Sequence, residues 1–296
     1  MKKSNQIHAS LENTRSVGSI AHILENIASI RITQIKDEVL KSRDFFSRLW
    51  AMYSQLRVSD KDAKQTTAAT AKSDKQAVIL VTANAGLTGE VDTHLIAQVL
   101  SEVDPKNTDF FVLGMHGQSL LLQHNISPVK TMRFPEVGKP IDVAEIVEAV
   151  LRYQKPVVYY PSYDSLSAQQ VFSIELRLTV QKLGAQDRKL NQDEIIYKDN
   201  CIFEPSVGEV VDYLEQMMIS TILTEIILES NLAQLSSRFN AMSAASSKAD
   251  GMAKGLERRY SKLRRYESDE SNRRYGAPRK VVAWITPKQQ LGALTV

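Results

Sequence analysis

The sequence predicts an α/β protein: a long antiparallel coiled coil of N- and C-terminal helices, with an α/β domain between them. Three observations carry this. Val207 to Tyr266 runs without a proline and holds a seven-residue apolar repeat. Val17 to Leu56 carries a second repeat of the same kind. Between them, short apolar runs alternate with helical patterns.

In the C-terminal repeat, Leu228, Leu232, Leu235, Phe239 and Met242 step by four, three, four and three. The register continues through Ser246, Ala249, Ala253, Leu256, Tyr260 and Leu263. A heptad this long marks a helix with one seam buried against another helix. At about 1.5 Å per residue it makes a rod of roughly 90 Å, too long for one globular core. Small residues thin the middle of the seam, which fits a loosely packed coiled coil or a slender stalk with little room around it. Gly251 and Gly255 lie off the seam, where each costs about 1 kcal/mol against alanine.

The N-terminal pattern places Val17, Ile20, Leu24 and Ile27 on one face. Ile35, Val39, Ser42, Phe46, Leu49, Tyr53 and Leu56 continue it in nearly the same register. The step from Ile27 to Ile35 is eight rather than seven, a slip that alters the supercoil locally. Two single-seam helices at opposite ends of a chain pair most simply as an antiparallel coiled coil. The expected interface is Ile20, Leu24 and Ile27 against Leu228, Leu232, Leu235, Phe239, Met242, Leu256, Tyr260 and Leu263.

Ser59 to Gln76 shows no amphipathic period and reads as a linker. Ala77–Thr82 (AVILVT), Asp109–Leu113 (DFFVL) and Val157–Tyr160 read as strands, and Val171–Leu183 as an edge strand. Helical patterns cover Val91–Val103, Gln118–His124 and Ile141–Tyr153. Such alternation predicts a mainly parallel sheet in a Rossmann-like α/β domain. Asp187–Asn200 is polar, with a short strand possible at Ile195–Tyr197. The segments are then residues 1–58, first coiled-coil helix; 59–76, linker; 77–206, α/β domain; 207–274, second coiled-coil helix; and 275–296, tail. In that tail Val281–Thr286 (VVAWIT) either adds a strand, docks on a partner or stays lightly ordered.

Composition narrows the function. Of 296 residues, 43% are hydrophobic, 24% charged and 7% aromatic, which suits long helices. A net charge of +3 is too small to imply a nucleic-acid partner. The single cysteine, Cys201, forbids an internal disulfide and points to a reducing compartment. Met1–Arg15 has no apolar core of a secretory signal, and no run of about twenty apolar residues exists to span a membrane. No HExxH or CxxC occurs. The histidines (His8, His22, His94, His116, His124) lack metal spacing, so no metal and no cofactor is expected. The loop Thr82–Gly89 follows a strand and precedes a helix, where phosphate cradles lie. It lacks the lysine of a P-loop and the three-glycine fingerprint, and its two glycines equally serve a tight turn. No acid/base pair stands out, and no catalytic residue is expected.

The end of the C-terminal helix is basic: Lys254, Arg258, Arg259, Lys262, Arg264, Arg265, Arg273 and Arg274, with Arg279 and Lys280 beyond. It fits a solvated face or a contact with acidic protein surfaces, for which Arg258, Arg259 and Arg265 are the candidates. Nucleic acid fits less well, because aromatics are not interleaved.

With these residues laid out, the chain resembles the gamma subunit of F-type ATP synthase from roughly Val17 to Gly276. Phe203-Glu204-Pro205-Ser206 looks like the family's FEPS helix opening. Leu228-Glu229-Ser230, Ser236, Arg238 and Met242-Ser243-Ala244-Ala245 resemble its C-terminal helix. Thr82–Gly89 looks like the SDRGLCGG loop, with Ala83-Asn84 or nearby for Asp-Arg and Thr88 for cysteine. Leu113-Gly114-Met115-His116-Gly117 is similar to the GRKG turn. The family's Met-Val-Ala-Ala-Ser-Lys run is missing near Ile27–Gln34, with Gln34 for the lysine.

The resemblance implies a non-catalytic, peripheral rotor shaft on the cytoplasmic face of the cell membrane, coupling proton flow to ATP synthesis. Its implied partners are the alpha and beta subunits, epsilon and the membrane c-ring. Gamma subunits close with an Ala/Ile-rich helix in an apolar sleeve, whereas Tyr266–Arg274 is nearly all polar. The chain is then a divergent rotor with an altered tip, or a gamma-like interaction protein that does not turn.

Overall fold

The computed structural model describes residues 2–59, 75–135, 141–150, 152–165, 169–176, 204 and 206–275. Cys201, the stretches 177–200 and 276–296, and most of the predicted linker lie outside the described residues.

Helix α1 spans Lys2–Ser59. After it come β1 (Gln76–Val81), α2 (Val91–Glu102), β2 (Thr108–Leu113), α3 (Met115–Gln123) and β3 (Lys130–Met132). The chain continues through α4 (Ala144–Val150), β4 (Pro156–Tyr163), β5 (Gln169–Glu175) and α5 (Val207–Tyr275). The sheet order is β3-β2-β1-β4-β5, parallel except for β5, which pairs antiparallel with β4 at the edge. The chain steps outward from β1 to β3, then crosses to β4 on the other side of β1. The ends of β1 and β4 thus form the topological switch point where open α/β sheets place their sites.

Both faces of this sheet are covered, which is why its strands read as continuous apolar runs. Successive side chains alternate between faces. Val78, Leu80, Phe110, Val112 and Tyr159 join Leu95, Ile96 and Val99 of α2 and Leu121 of α3. Ile79, Val81, Phe111, Leu113, Val158 and Tyr160 join Leu214, Met218, Ile219, Ile222, Leu223, Ile226 and Ile227 of α5, with Leu49 of α1. At about 25 cal/mol per Å² of apolar surface, this sheet–helix seal is a main source of stability.

The chain forms two compact units, Ile20–Ser246 and Met1–Ser19 with Ser247–Val296. Within the second unit the helices run antiparallel. Ser4 pairs with Glu267, the rings of His8 and Tyr260 lie 5.2 Å apart, and Arg15 reaches Glu257. A Cβ added to Gly18 would lie 3.0 Å from the Ala249 Cβ, so the two backbones approach closely there.

Four elements differ from the sequence reading. The edge strand expected over Val171–Leu183 runs Gln169–Glu175 among the described residues. β3, three half-buried residues, is too short to show a period. The helix expected over Ile141–Tyr153 is confined to Ala144–Val150. α3 starts at Met115, because Gly114 at φ +105° makes the whole turn in one residue.

Candidate functional site: the helical seam and the loop that grips it

Along α5 the residues of the repeat differ in burial. Leu228, Leu235, Met242, Ala249 and Ala253 are buried, and Leu232, Phe239, Leu256, Tyr260 and Leu263 are half-buried. From Met218 to Ser237 the burial extends well beyond one stripe, because the same turns also cover the sheet.

On α1 the predicted face is corrected. Ile20 and Ile27 are 57% and 43% exposed, and Val17 is 59% exposed. Leu24 is half-buried. From Leu11 to Ala28 the buried residues are Leu11, Gly18, Ala21 and Ala28, one position from Val17, Ile20 and Ile27, whereas Ile35 and Leu49 of the expected face are buried. At Gly18 the backbones approach closely, so a small residue fits there and Val17 and Ile20 lie to the side. Hydrophobicity alone picked the flank. Arg258, Arg259 and Arg265 are exposed on α5.

The switch-point loop is built around a carboxylate that the sequence reading did not single out. Asp92, in the first turn of α2, is fully buried. Its Oδ2 accepts from Ala83 N–H at 3.3 Å and from Thr88 Oγ1 at 3.3 Å, and it lies 2.7 Å from His116 Nδ1. Three groups, two from the loop and one from α3, converge on one oxygen, and the positive end of α2 favours the negative charge there. The loop amide and hydroxyl that a phosphate would need are thereby committed to the protein's own carboxylate. The only signal for this in the sequence is an acidic residue in the first turn after a glycine loop. His116, noted in the sequence only for lacking metal spacing, is the partner of Asp92.

Beside it, Thr82 Oγ1 donates to Leu113 O at 2.9 Å and accepts from Gly117 N–H at 3.1 Å. A Cβ on Gly114 would fall 2.1 Å from Thr82 O. Asn84 closes the loop from the far side: its Nδ2 donates to Phe134 O and its Oδ1 accepts from Phe134 N–H, both at 2.7 Å.

The fixed loop then takes hold of α5. Ser237 Oγ donates to Thr88 O at 2.7 Å, and Arg238 reaches Ala85 O at 3.4 Å and Gly86 O at 3.5 Å. Burial lowers the Arg238 pKa, the nearby Arg31 charge lowers it further, and Asp92 acts in the opposite sense. Below the loop, Ser162 of β4 is hydrogen-bonded to Glu229 of α5. The sheet is therefore tied to the helix by polar contacts at two levels as well as by apolar packing. No group of His, Cys, Asp and Glu able to hold a metal occurs among the described residues.

A family model described as ATP synthase matches residues 3–267. The chain belongs to the ATP synthase gamma family. Among curated relatives, the ATP synthase gamma chain of Elusimicrobium minutum is 26% identical, over 89% of this chain and 93% of that protein. That of Lachnoclostridium phytofermentans is 20% identical, over 89% and 94%. Among solved structures, the rotor of the Euglena gracilis mitochondrial ATP synthase aligns with a TM-score of 0.60 at 16% identity. It covers 90% of this chain and 98% of that one. The central stalk/c-ring structure from Tetrahymena thermophila gives 0.54 at 16% identity, over 77% and 99%. In this gamma fold the Asp92 loop is one of the places where the α/β domain is bonded to the long helix.

Proposed function

We propose that the chain is the central rotor shaft of an F-type ATP synthase, coupling proton flow to ATP synthesis by turning inside the catalytic hexamer. The family match over residues 3–267 carries the reading. The paired terminal helices enter a ring of alpha and beta subunits, and the α/β domain meets epsilon and the membrane c-ring. The protein is peripheral, on the cytoplasmic face of the cell membrane, and takes part in hydrogen ion transport without a catalytic group of its own. Among the described residues no helix is long and apolar enough to cross a membrane.

A shaft works by differential contact. Its asymmetric faces favour different nucleotide states in the subunits it meets in turn. Torque must pass from the α/β domain to the helices without slippage. Ser237, Arg238 and Glu229 serve this by anchoring α5 to the sheet. The seam residues Leu228, Leu232, Leu235, Phe239, Met242, Leu256, Tyr260 and Leu263 keep the pair of helices stiff, and Arg258, Arg259 and Arg265 face the hexamer.

Co-purification of tagged protein from its own host tests the reading. Alpha and beta subunits at about three each per copy, with epsilon, are expected on the rotor stoichiometry of closed rings. Leu235→Asp with Phe239→Asp is expected to abolish that assembly. Retention of both assembly and helicity would remove the coiled-coil shaft.

A second reading, a gamma-like interaction protein that does not turn, is favoured by the exposed polar end of α5 from Ser268 to Arg274. It predicts recovery without the hexamer.

A further inference from the structure

The carboxylate at the head of α2 uses only one of its oxygens. Asp92 Oδ2 meets Ala83 N–H, Thr88 Oγ1 and His116 Nδ1, whereas Oδ1 is buried with no hydrogen-bond partner among the described residues. An amide oxygen would accept from the two loop donors equally well, with no charge to bury. The negative charge is therefore surplus to the hydrogen bonding. A buried charge persists where a cation balances it.

His116 is that cation when it is protonated. Its Nδ1 lies 2.7 Å from Oδ2, and its side chain is 25% exposed against 0% for Asp92. Protons thus reach the ring from solvent while the carboxylate stays dry. The ring can present N–H at Nδ1 in both charge states, so the contact persists and its strength changes. A hydrogen bond between charged partners is about twice as strong as a neutral one.

The other charges nearby leave this pair to itself. Loop Thr82–Gly89 and β1 contain no titratable side chain. Arg238 of α5 is coupled electrostatically to Asp92, and Arg31 of α1 to Arg238. On α2, Glu90 and His94 pair with each other in solvent, and Glu102 is bonded by Tyr159. Asp109 of β2 is held by Lys75 and Tyr153, Lys130 of β3 pairs with Glu145, and Arg133 is exposed.

Thr88 carries the state of the pair to α5. Its hydroxyl is bonded to Asp92 and its carbonyl accepts from Ser237 Oγ at 2.7 Å. Beside it, a Cβ added to Gly89 would lie 3.0 Å from Ser237 Oγ, so loop and helix touch without slack. We propose that Asp92, His116 and Thr88 form a proton-sensitive latch, which tightens the Thr82–Gly89 loop on α5 when His116 is protonated and slackens it when His116 is neutral. The charged pair contributes while His116 holds its proton, and that contribution is lost as pH rises through the His116 titration. The apolar seal between sheet and α5 does not titrate, so the fold persists and the joint alone changes stiffness. The latch holds whether or not the long helix turns inside a ring.

The test is amide hydrogen exchange on the full chain at about pH 5.5 and about pH 8, either side of the range in which histidine changes charge, corrected for the intrinsic rate at each pH. Protection of the Ala83 amide is expected to be about fivefold greater at the lower pH, the ratio between a charged and a neutral hydrogen bond. D92N keeps the acceptor and removes the charge, and H116Q keeps a donor and removes the titration. Each is expected to show a change below about twofold, with circular dichroism checking that it folds. Equal wild-type protection at the two pH values would overturn the latch, and so would a wild-type pH dependence retained in H116Q. A double-mutant cycle of H116Q with S237A in urea unfolding reads the relay to α5. The two effects are expected to be non-additive at about pH 5.5 and additive at about pH 8. Additivity at both would confine the proton's effect to the loop and overturn the hold on α5.

Discussion

Asp92 is the residue on which the switch-point loop depends. Removing a buried acceptor leaves its donors unpaired, and the cost falls on several groups at once. Asp92→Ala is expected to destabilise the chain by about 3 kcal/mol in urea unfolding, since Ala83 N–H, Thr88 and His116 all lose their acceptor. Gly114→Ala is expected to be at least as damaging, because its Cβ would overlap the Thr82 carbonyl. Glu267 tests pH dependence at this scale. The Ser4 hydroxyl holds its pKa below the ordinary 4.5. A depressed carboxylate stabilises the fold above its unfolded value and loses that contribution as pH falls through its folded value. An NMR titration of Glu267 should therefore show a midpoint below 4.5, returning upward in Ser4→Ala.

The phase of the seam is decided at the level of the element. A heptad can be read with its large residues or its small ones at the contact, and the two choices differ by one position, about 100° of helix. The isoleucines of α1 suggested one answer and its Gly18, Ala21 and Ala28 give the other. The contrast can be tested directly. Ala28→Asp is expected to cost about 3 kcal/mol, as burial of an unpaired charge. Ile27→Gln should stay within about 0.5 kcal/mol in the isolated chain. Thermal melts of the two variants check this. Equal effects would restore Ile27 to the seam. On α5 the repeat residues from Leu228 to Met242 are large and regularly spaced, and Leu228, Leu235 and Met242 are buried.

Over the whole molecule, the sheet packs on α5 at one face and on α2 at the other, and the tyrosines report on both cores. Burial, aided by Asp109, pushes Tyr153 up to about 12, and burial with Glu102 does the same for Tyr159. Burial, with Glu229 and Glu225, pushes Tyr160 higher still. The fold therefore favours the protonated phenols, and their contribution is complete below the ordinary value of 10.0. Stability should decline as pH rises from about 10 towards 12, seen as a falling melting temperature. Tyr153, Tyr159 and Tyr160 should ionise last in an ultraviolet titration. Ionisation of every tyrosine near 10 with the fold intact would contradict this packing.

The sequence by itself determined the two long helices, the α/β domain between them and the family. All of these depend on periodicity or on local runs of residues, which a linear text preserves. It also placed the glycine loop and the turn at Gly114 in their correct settings. Only the tertiary structure decided which residues meet and which are buried: Asp92 with Ala83, Thr88 and His116, Ser237 and Arg238 with the loop, and Ala28 rather than Ile27 out of solvent. These pairs are far apart in sequence or differ by a single step of rotation. Their partners are chosen by how closely backbones approach and by which polar groups must be satisfied once buried, and neither quantity exists until the chain has packed.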